Sequence, residues 1–69
     1  MITFAIDQKV LNKLPKYIQQ YVTFAEHDEW GKYHIVVYHP KFKEASFHDT
    51  NLRELIWEIK QFIENGDRY

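Results

Sequence analysis

Apolar positions along this 69-residue chain follow two different periods. Leu52, Leu55, Ile56, Ile59, Phe62 and Ile63 recur every three or four residues, the spacing of one stripe on a final helix. Val10, Leu11, Leu14, Tyr17, Ile18 and Tyr21 recur in the same way nearer the start. Pro15 interrupts that second stripe, because proline has no N–H to donate and its ring clashes with the preceding turn. The expectation is a broken helix over about residues 8 to 20, with Asp7 as its N-cap.

Elsewhere the pattern alternates. Residues 2–6, 21–28, 33–39 and 44–48 mix β-branched, aromatic and polar residues with a period of two, as strands do. Gly31, inside the connection Glu29-Trp30-Gly31-Lys32, can take the positive φ that a tight hairpin needs. Pro40 closes the strand before it, having no N–H for a ladder. Asp49-Thr50-Asn51 precedes the last helix; Asn51 as N-cap puts Glu54 at the third helical position, close to a capping box. Asn65-Gly66 offers a left-handed stop. The reading is one α+β domain spanning residues 1–69, in the order β-α-β-β-β-α. Its three- to four-stranded antiparallel sheet is packed by two helices.

Two features break these patterns. Trp57 points roughly 160° from the centre of its helix's apolar stripe, among Arg53, Glu54, Lys60, Gln61 and Glu64. In the central strand Tyr33, Ile35 and Val37 project to one face and His34, Val36 and Tyr38 to the other, so neither face is polar. Either helices cover both faces, or they share one and leave His34, Val36 and Tyr38 exposed or dimer-forming.

Composition narrows the class. Apolar residues make up 45% and aromatics 17%, which argues against disorder. Cysteine is absent, removing disulfides, zinc–thiolate sites and thiol catalysis together. The net charge of −1 supplies no global field toward nucleic acid or anionic lipid. With no membrane-length apolar run and no leader pattern, the expected setting is soluble and cytoplasmic.

Catalytic and metal chemistry find little support. The four histidines, 27, 34, 39 and 48, lack the spacing of a metal motif, and neither a metal nor a cofactor is expected. Asp28, Glu29 and Asp49 lie near His27 and His48, but no spacing selects a pair; Ser46 has no nucleophile-elbow context. Lys9, Lys13 and Lys16 form a basic stripe on the first helix, which reads as a solvated face before it reads as a nucleic-acid contact.

From about residue 22 to 63 the chain resembles HicB-type antitoxins. The resemblance rests on Asp28-Glu29-Trp30-Gly31 followed by Tyr33, on Pro40, on Asp49-Thr50, and on the run Leu52, Glu54, Leu55, Ile59, Ile63. It implies a β-β-β-α partial ribonuclease-H-like unit that binds and blocks a small ribonuclease toxin. The stretch Lys41-Phe42-Lys43-Glu44-Ala45 lacks the glycine that usually follows the proline loop in that family. The chain is also similar to the partner toxin, HicA, in Lys9 to Leu14 and in Gly31-Lys32-Tyr33-His34 with His39-Pro40. That second resemblance implies an α-β-β-β-α order and an mRNA-cleaving ribonuclease using His34.

The leading expectation is a non-catalytic module that blocks a partner enzyme by stoichiometric binding. The partner would be a toxin nuclease, or a host or defence protein if the gene is phage-borne; a homodimer is a further expectation. Trp57, Trp30 and Tyr38 are the expected anchors, with Arg53 and Lys60 as orienting charges.

Overall fold

The computed structural model describes residues 6–67. It contains α1 (Gln8–Leu11), α2 (Lys16–Gln19), β1 (Val22–His27), β2 (Tyr33–His39), β3 (Lys43–Asp49) and α3 (Leu52–Asn65). The strands form an antiparallel sheet in the order β1-β2-β3. The observed order is thus helical segments, three strands, then a helix, with three helical segments where two helices were expected. Of the strand expected at residues 2–6, residues 2–5 lie outside the described residues; Ile6 makes one parallel bridge to Ala25.

Local chemistry accounts for the breaks. The Asp7 carboxylate accepts from the Lys9 N–H at 3.0 Å and starts α1, while the Asp7 N–H donates to the Ala25 carbonyl and ties that start to β1. Helix α1 stops at Leu11, earlier than Pro15 alone demands, and Pro15 becomes the N-cap of α2. Asn51 caps α3 by accepting from the Arg53 and Glu54 N–H groups. The reciprocal half of a capping box goes elsewhere, since the Asn51 N–H donates to the Asp49 carboxylate at 2.9 Å. Gly66 ends the helix at φ 76°, with its N–H on the Phe62 carbonyl.

The core lies on one side of the sheet. Val22, Ala25, Ile35, Val37, Ala45 and Phe47 meet Val10, Leu14 and Ile18 from the first segments and Leu55, Ile59 and Phe62 from α3. A register shift between Val22 and Phe24 inserts Thr23 into β1, so that Val22 and Ala25 both reach the core. Each large side chain buried here contributes roughly 1.5–3 kcal/mol. All the helical segments are held to this face, and the opposite face of the sheet carries no described element.

Candidate functional site

Strand pairing decides which side chains share the bare face. In one row across the sheet Glu26 pairs with His34 and His34 with His48. In the next, Phe24 pairs with Val36 and Val36 with Ser46; in the third, Tyr38 pairs with Glu44. Phe24 and Val36 are partly buried, while Glu26, Tyr38, Glu44, Ser46 and His48 are exposed. The face is therefore an aromatic and aliphatic centre with carboxylates at its edges. None of these strand positions holds lysine or arginine.

The histidine row continues into the β1–β2 turn. Asp28 shapes that turn through one carboxylate oxygen, Oδ1, which accepts from the backbone N–H groups of Trp30 at 3.0 Å and Lys32 at 2.9 Å. Gly31 completes it at φ 81°. The other oxygen, Oδ2, lies 2.7 Å from His34 Nε2, and His34 Nδ1 lies 2.6 Å from His48 Nδ1. The His34 contact, followed by the Lys32 N–H and, more weakly, the Trp30 N–H, holds the Asp28 carboxyl below its ordinary range against the opposing effect of desolvation.

An ionised Asp28 can only accept, so His34 Nε2 carries a proton. A neutral His34 then accepts at Nδ1 from His48 Nδ1–H, leaving His48 Nε2 with an open lone pair. Among the described residues His48 Nε2 has no hydrogen-bond partner. The chain Asp28–His34–His48 can thus pass a proton between the turn and solvent without any residue moving far. Both nitrogens of His34 are engaged, so His48 is the group presented outward.

The other histidines are packing residues. His27 stacks on Tyr33 with centroids 4.2 Å apart, and His39 stacks between Tyr21 and Phe42. Among the described residues no group of three or more histidine or carboxylate side chains is placed to hold a metal ion. The two Nδ1 atoms of His34 and His48 are also closer than the roughly 3.3 Å between two nitrogens on one tetrahedral ion.

The expected anchors fall on different surfaces. Trp57 is half exposed on the outer side of α3, whose Leu55, Ile59 and Phe62 are turned to the sheet; Arg53 and Lys60 are exposed on the same helix. Tyr38 is exposed on the bare face, across the molecule from α3. Trp30, 79% exposed, stands at the tip of the β1–β2 turn. Lys9, Lys13 and Lys16 are exposed but share no single helix, because α1 ends before Lys13 and α2 begins at Lys16. Lys13 instead reaches over the Tyr33 ring, its Nζ 5.7 Å from the centroid.

No protein-family model, curated protein or solved structure matches the chain. No helix among the described residues is long and apolar enough to cross a membrane.

Proposed function

We propose that this chain is a small protein-binding module that blocks a partner enzyme by stoichiometric association through the bare face of its sheet. The observation that carries this reading is the one-sided packing. All the helical segments share one face of the sheet, while Phe24, Val36 and Tyr38 sit on the other without a covering element. Trp30, at the tip of the β1–β2 turn, supplies a further exposed aromatic. The HicB-type resemblance supports the same reading and nominates a nuclease as the partner.

The test is affinity capture with the intact protein, followed by measurement of the stoichiometry of any reconstituted pair. A 1:1 complex that weakens at least tenfold with Tyr38→Ala, and not with Trp57→Ala, is the expected result. A complex indifferent to Tyr38→Ala and Trp30→Ala removes this surface from the interface.

A second reading rests on the Asp28–His34–His48 chain and on the HicA-type resemblance: general acid–base cleavage of RNA, with His48 as the outward group and His34 positioned by Asp28. Electrostatics oppose it. Glu26 lies directly across from His34 and Glu44 stands on the same face, where phosphates would need cations. Robust RNA cleavage abolished by His34→Ala or His48→Ala would establish this reading and displace the first.

A further inference from the structure

The charge pattern of the bare face identifies what kind of partner surface it fits. Cationic side chains of the helical segments, Lys9, Lys16, Arg53 and Lys60, are exposed on the other layer of the molecule or at its sides. The bare face carries Glu26 and Glu44, with Asp28 at the end of the histidine row. The helical layer also carries exposed Asp7, Glu54 and Glu64, and Lys32, Lys41 and Lys43 are exposed at the hairpin turns, so charge of a single sign belongs to the strand positions of this face alone.

The two glutamates occupy diagonally opposite corners. Glu26 is on β1 in the His34 row, and Glu44 is on β3 in the Tyr38 row, two strands across and four residues along β2. At about 4.8 Å per strand and 3.3–3.4 Å per residue, their backbones are about 17 Å apart. Val36 and Phe24 lie in the row between them, and Tyr38 is beside Glu44.

We propose that this face docks a cationic protein surface, one that offers two basic side chains about 17 Å apart flanking an apolar residue. The proposal rests on the protein-binding reading and adds the partner's chemistry. Glu26 and Glu44 set the orientation by charge; Phe24, Val36 and Tyr38 give the apolar contact area. Such an occupant matches surfaces that proteins use to hold nucleic acid, so a module docked there would compete with the partner's own substrate. The same carboxylates disfavour a nucleic acid as occupant, and a second copy is told apart by the test below, because it would shift the same amides without any peptide.

The probe is the blocked peptide Arg-Thr-Leu-Thr-Arg, whose alternate side chains present Arg, Leu and Arg to one side when extended, with arginine backbones about 13 Å apart and long side chains that splay to cover the remaining distance. Its control replaces both arginines with glutamate. Titrating either into the ¹⁵N-labelled full-length protein, the arginine peptide is expected to shift amides of Phe24, Glu26, Val36, Tyr38 and Glu44. The shifts should weaken at least threefold between low and physiological salt. The double variant Glu26→Gln/Glu44→Gln, exposed positions that leave the core intact, is expected to lose at least fivefold in affinity. Equal response to both peptides, shifts confined to α3 around Trp57, or the same shifts on raising protein concentration without peptide would each overturn the proposal. Because a partner complex retained by the double variant but lost with Tyr38→Ala would remove only the cationic partner, this failure is distinct from failure of the module reading.

Discussion

His34 and His48 face each other across the β2–β3 hairpin with their Nδ1 atoms 2.6 Å apart, and only one of the two can carry the proton between them. The Asp28 carboxylate at the far side of His34 decides which. At neutral pH His34 is expected as the Nε2–H tautomer and His48 as the Nδ1–H tautomer. Long-range ¹H–¹⁵N correlation spectra check this. Finding His48 protonated at Nε2 alone would contradict the chain of bonds.

Asp28 also makes stability depend on acid. Its carboxyl is lowered first by His34 and then by the Lys32 and Trp30 N–H groups. A carboxyl lowered by folding contributes stability that is present above its ordinary value and lost as pH falls through the lower, folded-state value. Asp28→Asn is therefore expected to melt below the wild type at pH 7. The gap should close at pH values below about 4, where the wild type loses this contribution. Melting curves across that range decide it, and a constant gap would show that the charge is irrelevant.

Glu58 should behave in the opposite sense. Desolvation, with Asp49 and Glu54 adding repulsion, raises its carboxyl above the ordinary range. A raised group contributes stability below its ordinary value and loses it as pH rises through the folded-state value, so ionised Glu58 is a cost at pH 7. Glu58→Gln is expected to stabilise the protein at pH 7 by about 0.5 kcal/mol, and to be neutral at pH 3. Chemical denaturation at the two pH values measures the difference.

Lys43 adopts φ 68° at the start of β3, a left-handed conformation that costs a non-glycine residue about 1 kcal/mol or more. This is the stretch in which the HicB-type pattern carries a glycine and this chain does not. Lys43→Gly relieves that strain and is expected to stabilise by roughly 0.5 kcal/mol after the entropy of the added glycine is counted. Lys43→Val is expected to destabilise by more than 1 kcal/mol. Equal stability of both variants would deny the strain.

Gly66 shows the reverse constraint. At φ 76° a Cβ would sit 2.6 Å from the Phe42 ring, which packs edge-on to Phe62 at 5.9 Å between centroids. Gly66→Ala is expected to destabilise by about 1–2 kcal/mol through left-handed strain and displacement of Phe42. A Tm unchanged by the substitution would show that the C-terminal turn is not held against the hairpin.

Much of the architecture was legible from short-range chemistry. The alternation of residues 33–39, Gly31 and Pro40 located the hairpins, and Asn51 and Gly66 bounded α3, because caps and positive-φ turns depend on neighbouring residues alone. The register turns on where β3 begins: a turn between His39 and Lys43 places His34 opposite His48, as observed, whereas the strand start expected at Glu44 would have set His34 opposite Asp49. Along the chain His34 and His48 are 14 residues apart, so spacing alone does not pair them. The break after Leu11 and the Asp49 bond to the Asn51 N–H are competitions between alternative local partners, which spacing does not resolve.

The sequence by itself determined the elements, the turns and the two sets of side chains that β2 sends to opposite faces. Only the tertiary structure decided which set is covered. Within β2 both sets carry apolar residues, so that strand alone favours neither; pairing with β3 sets Ala45 and Phe47 beside Val37 and Ile35 and puts Glu44, Ser46 and His48 on the other face, and α1, α2 and α3 pack together over the first set. That choice set Trp57 on the outside of the helical layer, left Tyr38 on the other side of the molecule, and joined Asp28, His34 and His48 into one chain beside Glu26. The physical reason is long range: alternation assigns a residue to a face, while the packing of distant segments determines which face meets water.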